Sequence, residues 1–188
     1  VLYKGRDIVP FKEKEMAGLR VAEFGFVFQQ IHLVSNLTMK ENILVPGYRY
    51  ANRSRKETIV ETMELLQKMN IEHTADRLPS QVSGGEAQRC AIARAIVNQP
   101  GLLFADEPTG ALNRKNTQDV LDLLTELNQQ GQSILMVTHD IRAALRATRI
   151  LYIEDGRVCG ELSLPQYSTE DRKSGETQVE AWLNALQW

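Results

Sequence analysis

The chain has 188 residues, 43% of them hydrophobic, which suffices for one globular unit with a real core and excludes a disordered chain. Lys and Arg number 22 against 24 Asp and Glu, and a formal net charge of -2 gives no global field that would draw the chain to nucleic acid or to an anionic membrane. Cys90 and Cys159 form neither a C-x-x-C pair nor a metal-ligand spacing with His, which argues against a disulfide framework and a zinc site and fits a reducing, cytosolic compartment.

In chain order, residues 1–9 alternate loosely around Lys4-Gly5-Arg6, a turn signal that predicts a hairpin or the edge of a small β layer. Phe24-Gly25-Phe26-Val27-Phe28 reads as a buried strand ending at Gln29. Thr38-Met39-Lys40-Glu41 has the form of a capping box and predicts a helix start, with Pro46-Gly47 ending or breaking that helix. The basic run Arg53-Ser54-Arg55-Lys56 reads as a solvated helix start. From Arg55 onward, Ile59, Met63, Leu66 and Met69 recur at spacings of four and three, an amphipathic helix that ends near Asn70.

Ser83-Gly84-Gly85 is a turn opening a helix whose Ala-rich body, Ala91 to Val97, stops before Pro100. Leu102 to Ala105 is a buried strand running into Asp106-Glu107-Pro108. Asn116 to Gln130 places Val120, Leu121, Leu124 and Leu127 on one face and ends at Gly131. Ile134 to Thr138 and Ile150 to Ile153 are further strands, the second leaving through the hairpin-type turn Glu154-Asp155-Gly156. Leu164 to Glu176 reads as a polar linker, and Val179, Trp182, Leu183 and Leu186 recur at helical spacing in the closing stretch to Trp188. Apolar runs such as Ile134-Leu135-Met136-Val137 fall far short of the ~20 residues that cross a bilayer.

The alternation of strand and helix in the second half predicts an α/β fold with a parallel sheet and crossover helices. The nearly all-helical stretch before it has no place in that alternation and reads as an inserted subdomain. The expected division is residues 1–30 and 99–162 for the α/β core, 31–98 for the helical subdomain, and 163–188 for a C-terminal linker and short helix.

Chemistry concentrates at a few points. Asp106 and Glu107 end an apolar strand, at the carboxyl edge of a parallel sheet where ligands bind. There Asp106 can hold Mg²⁺ through a water, and Glu107 is the candidate general base. The Ser83 hydroxyl and the backbone N–H groups of Gly84 and Gly85 suit phosphate oxygens, aided by the positive end of the helix dipole. His139 ends a buried strand, whereas His32 and His73 have no comparable context and are expected on the surface or in caps.

The order of Gln29, then Ser83-Gly84-Gly85-Glu86-Ala87-Gln88-Arg89, then Leu102-Leu103-Phe104-Ala105-Asp106-Glu107-Pro108, then Val137-Thr138-His139-Asp140 resembles the ATP-binding-cassette (ABC) ATPases over about residues 1–160. The resemblance implies a P-loop NTPase core with a mostly parallel sheet and an inserted helical subdomain. It gives Gln29 the glutamine-loop role at Mg²⁺ or the attacking water, and Asp106 the metal. It makes Glu107 the base and His139 the switch that senses the γ-phosphate. Ser83, Gly84, Gly85 and Glu86 form the signature turn, which acts in trans on ATP held by the other monomer. Asn113, in Gly110-Ala111-Leu112-Asn113, stands where the family has the Asp of its D-loop. Val82 for Leu and Glu86 for the more frequent Gln are milder departures. Glu41-Asn42-Ile43-Leu44-Val45-Pro46 and Asp106-Glu107-Pro108-Thr109-Gly110 look like the branch of macrolide-export and lipoprotein-release ATPases. Asn113 and Trp182-Leu183 lean toward its antimicrobial-peptide resistance members.

The family's phosphate loop needs a Gly-Lys pair, and the sequence has none. That loop would fall before residue 1, together with N-terminal strands. The chain alone is therefore expected neither to bind nor to hydrolyse ATP, and to leave apolar core surface uncovered. What the resemblance implies is an ATP-binding and ATP-hydrolysing subunit of an ABC transporter, using ATP and Mg²⁺. It would work as a homodimer on a transmembrane permease subunit at the cytoplasmic face of the membrane, touching lipid only through that partner and binding no nucleic acid. Ile31, Leu33, Val34 and Leu37, just after Gln29, are the expected docking residues for the partner. Two alternatives stand beside this: a non-catalytic remnant or regulatory subunit of an ABC complex, and a soluble ABC ATPase of DNA repair or translation. The second lacks the coiled-coil insertion or tandem cassette it would need.

Overall fold

A short antiparallel hairpin opens the chain, β1 (Leu2–Tyr3) against β2 (Arg6–Asp7), turning through Lys4-Gly5 as the sequence predicts. The computed structural model describes residues 1–49, 53–168, 170 and 172–186. Helix α1 (Glu13–Glu23) follows, in a stretch to which the sequence analysis assigns no element, and none of its residues is buried. It leads directly into β3 (Phe24–Val27).

β3 pairs in parallel with β4 (Leu102–Asp106), Phe24 opposite Leu102 and Val27 opposite Ala105. β5 (Ile134–Val137) completes a three-stranded sheet in the order β3-β4-β5. One face of this sheet carries Val27, Leu103 and Ala105 into the core, with Ile134 and Met136 packed against it. The other face is not covered: Phe26 is 37% exposed, Phe28 40% and Leu135 49%. β3 is thus buried on one side only, which corrects the reading of Phe24 to Phe28 as a fully buried strand. The uncovered side is held by aromatic contact, Phe26 stacking on Phe104 with ring centroids 5.2 Å apart.

Between the first two strands of the sheet lies the helical segment. Helices α2 (Met39–Gly47) and α3 (Arg55–Lys68) begin at capping boxes, Thr38 with Glu41 and Ser54 with Glu57, because each carboxylate reaches back to a backbone N–H that the helix leaves unpaired. Pro46 lies inside the last turn of α2 rather than beyond it. After two short 3₁₀ turns, Glu72–Thr74 and Pro79–Gln81, helix α4 (Gly84–Ile96) runs through the middle of the core. Its Cys90, Ile92 and Ala93 meet Met39 and Ile43 of α2, Leu66 of α3 and Leu103 of β4 in one apolar cluster.

α3 buries only the second half of its apolar stripe, Leu66 and the following Met69. Thr58, Thr62 and Leu66 point inward, while Ile59 is 43% exposed, Val60 51% and Met63 40%. The small β-branched residues win the inner face because α2 comes close there: a Cβ placed on Gly47 would stand 2.6 Å from Thr58 Cγ2.

Helix α5 (Arg114–Gln129) packs Val120, Leu121, Leu124 and Leu127 inward, as its sequence predicts. The described chain divides into two compact units, Val1–Met136 and Val137–Trp188. In the second, the short α6 (Ile141–Ala144) precedes β6 (Arg149–Glu154) and β7 (Arg157–Ser163), an antiparallel hairpin closed by Asp155 and Gly156 at positive φ. β6 pairs with its sequence neighbour through the hairpin turn that the sequence predicts. Helix α7 (Arg172–Ala185) begins toward the end of the expected linker and buries Val179; its Trp182 and the following Leu186 lie beside Gly160, and Trp188, included in the expected closing helix, lies outside the described residues.

Candidate functional site

Ser83 caps α4 in extended backbone conformation, φ -70° and ψ 158°. Its N–H and Oγ both donate to Glu86 Oε2 at 2.7 Å, and the Glu86 N–H donates back to Ser83 Oγ at 3.3 Å. The second carboxylate oxygen of Glu86 lies 2.9 Å from Nε2 of His73. These bonds, those from Ser83 foremost, hold the Glu86 carboxyl down at about 2. The carboxyl thus stays ionised in the folded chain where the unfolded chain protonates it, near the usual 4.5. The stability it contributes is present above that value and is lost as pH falls toward 2. Urea unfolding between pH 5 and 2 should show the advantage of the native chain over Glu86→Gln shrinking with acidification. A difference independent of pH would assign the cap no ionic component.

Two glycines follow Ser83 and their surroundings differ. A Cβ on Gly84 would meet only Leu112 at 3.7 Å, so the N-terminus of α4 is open on that side. A Cβ on Gly85 would lie 2.5 Å from the side-chain amide carbon of Asn116. Asn116 belongs to the first turn of α5, and its N–H donates at 3.0 Å to the Asn113 side chain that caps that helix.

At the carboxyl end of β4, Asp106 is exposed and Glu107 turns the chain with φ +44°, a left-handed conformation that costs a non-glycine residue about 1–3 kcal/mol. Buried Pro108 and Thr109 and the turn bonds Gly110 N–H to Glu107 O and Leu112 N–H to Thr109 O hold it there. Gln29 is exposed beyond the end of β3, with its side chain against this loop: a Cβ on Gly110 would stand 2.8 Å from Gln29 Nε2. The first unit thus brings Gln29 to the loop that follows Asp106 and Glu107, and Gly85 to the helix that follows Asn113. No group of three or more His, Cys, Asp or Glu side chains gathers into a metal cage among the described residues. A carboxylate and an amide oxygen at an open edge suit Mg²⁺ that arrives with phosphate oxygens and keeps its waters.

His139 is exposed just after β5 and belongs to the second unit. Asp140 caps α6, and the Arg142 guanidinium, 2.7 Å away, holds its carboxyl below the usual carboxylate range.

A family model described as ABC transporter matches residues 1–110. The chain belongs to the ABC transporter family. It is 39% identical over 187 residues to the macrolide export ATP-binding/permease protein MacB of Pasteurella multocida (strain Pm70), an alignment covering 100% of this chain and 28% of the relative. MacB of Escherichia coli (strain K12) is 40% identical over 154 residues, 82% of this chain and 24% of the relative. The chain therefore spans about a quarter of the length of these curated relatives. Among solved structures, a dimeric post-hydrolysis state of the ATP-binding cassette MJ0796 bound to ADP and Pi superposes with a TM-score of 0.78 at 36% identity, covering 88% of this chain and 73% of that one. A second dimeric MJ0796 structure, described as a bacterial ABC transporter cassette, gives 0.74 at 38% identity, covering 84% and 69%.

Within this ABC cassette, the sequence analysis missed Asn116, Gln88 and Arg94. The spacing Asn113-x-x-Asn116 was a usable signal for the first, since a capping side chain bonds the N–H three residues on. The expected docking residues are only partly available: Leu33 packs against the core, Ile31 and Leu37 are half-buried, and Val34 is 47% exposed. The wider exposed apolar surface of the cassette's helical segment is the Ile59, Val60 and Met63 face of α3, bordered by Glu64 and Glu72. No helix among the described residues is long and apolar enough to cross a membrane.

Proposed function

We propose that this chain is the ATP-hydrolysing cassette of a macrolide-exporter-like ABC transporter, paired with a second copy and driving membrane-spanning segments from the cytoplasmic face of the membrane. The observation that carries the reading is the seat of Gln29 on Gly110, which sets a side-chain amide beside the loop of Asp106 and Glu107. Bound MgATP would supply the electrophilic γ-phosphorus, and Asp106 with Gln29 would hold its metal. Glu107 takes the proton of the attacking water, and His139 orients that water. The N–H groups of Gly84 and Gly85, at the open end of α4, bind the γ-phosphate of the partner copy's nucleotide, and the Ser83 hydroxyl joins them by turning its proton away from Glu86. Asn113 lines the same junction from the cap of α5. Residues 31–98 act as the helical subdomain, residues 1–30 and 99–162 as the core, and residues 163–188 as a C-terminal appendage.

The exposed Ile59, Val60 and Met63 face is the seat for the membrane-spanning partner, and its acidic border selects a short apolar segment flanked by Lys or Arg. One experiment tests both halves. Membranes carrying the complete protein should hydrolyse MgATP, lose that activity with Ser83→Arg, and yield a crosslink from a photoreactive group at Met63 to a membrane-spanning segment. Hydrolysis indifferent to Ser83→Arg, or capture of nothing but a second copy of the cassette, would overturn the reading.

A further inference from the structure

From Phe28 to Thr38 the chain has no regular secondary structure, and side chains from two helices grip its backbone. Gln88, only 1% exposed, donates from Nε2 to the Phe28 carbonyl at 3.4 Å. Arg94 donates from Nη1 to the His32 carbonyl at 2.7 Å and from Nη2 to the Ile31 carbonyl at 3.2 Å. Further along, Asn42 of α2 accepts from the Val34 N–H and donates to the carbonyls of Val34, Leu37 and Thr38.

Burying an amide, or part of a guanidinium, is unfavourable unless its hydrogen bonds are remade, and an apolar residue would fill the same space on α4 without that cost. Here the remade bonds go to the backbone of one loop. In extended backbone, successive carbonyls point to opposite sides; at His32, φ +48°, the chain turns so that two neighbouring carbonyls reach one guanidinium fork. Between the two grips stands Gln29, with its side chain on Gly110. Both gripping residues belong to the same rigid helix whose cap is Ser83.

We infer that Gln88 and Arg94 are positioning residues that tether the Gln29 loop to α4, so that a displacement of the loop is delivered along the helix to Ser83, Gly84 and Gly85. The tether itself is a property of the folded chain; its consequence for turnover rests on the function proposed above. A loop moved at Gln29 cannot slide past α4 without breaking three hydrogen bonds, and the helix transmits the push because its own backbone bonds are intact from Gly84 to Ile96.

The test uses the 188-residue chain with Cys159→Ser and a spin label on Gln30→Cys, and compares Arg94→Met, which keeps the apolar stem, with Arg94→Lys, which keeps one donor. Label mobility should rise in Arg94→Met and be largely restored in Arg94→Lys. Amide exchange at Glu86 and Ala87 should accelerate about tenfold in step with it. If Arg94→Met fails to fold, Gln88→Met and Arg94→Lys carry the same comparison. A label whose motion ignores all these substitutions overturns the tether, and a freed loop with unchanged exchange at Glu86 and Ala87 overturns the coupling. In the complete protein, kcat should fall about tenfold in Arg94→Met with KM for ATP nearly unchanged. Absence of ATP hydrolysis in the unsubstituted protein would refute the proposed function and leave the label and exchange results standing.

Discussion

In the complete protein, Glu107→Gln lowers ATP turnover by about 10²–10⁴ and leaves ATP binding intact, because the amide keeps the shape of the side chain and cannot accept a proton. Glu107 follows the last residue of β4, and its left-handed φ of +44° turns it away from the strand's alternation. The buried Pro108 and Thr109 fix that turn, so the substituted residue inherits the same position. Binding is retained because the phosphate contacts proposed above come from elsewhere, the Ser83 turn of the partner copy. Nucleotide affinity by calorimetry and turnover by phosphate release separate the two effects. Turnover within a few-fold of the native value would place the general base at another residue.

Gly25→Ala should destabilise the first unit by about 1–3 kcal/mol, although alanine is the smallest side chain that can be added. The added methyl would stand 2.6 Å from the Ala95 carbonyl oxygen and 2.9 Å from Leu103 Cδ1. The first of these is backbone in the last turn of α4 and cannot swing aside as a side chain would, so strand and helix must separate. Because α4 carries the grips on the Gln29 loop and β3 leads into it, the damage should reach the site as well as the core. Equilibrium denaturation measures the first effect, and amide exchange in residues 29–34 the second. A variant as stable as the native chain would show that β3 and α4 have slack between them.

What the sequence discloses is what is local. The capping box at Thr38 with Glu41 is legible because the interacting groups are three residues apart, and the same spacing at Ser83 and Glu86 passes unread because the two glycines between them point to a phosphate turn. Asp106, Glu107 and the Ser83 turn are legible because their chemistry is written in adjacent residues. The face buried by α3 is legible only in its second half: periodicity marks Leu66 and Met69, which are buried, and equally Ile59 and Met63, which are not, because Gly47 comes close there and admits only the small Thr58. α1 escapes notice because a helix with no buried residue has no stripe to read. Arg94 and Gln88 are illegible for a third reason: their partners, Ile31, His32 and Phe28, are about sixty residues away, and nothing short of the fold joins them. The hairpin of β6 is legible for the same reason as the Thr38 cap, since Glu154-Asp155-Gly156 writes its turn in adjacent residues.

The uncovered side of the β3-β4-β5 sheet has a thermodynamic consequence. Unfolding raises heat capacity in proportion to the apolar surface that newly meets water. Phe26, Phe28 and Leu135 meet water already in the native chain, so they add less to that increment than buried residues of their size. The chain's stability curve is correspondingly flatter, its decline on heating or cooling more gradual.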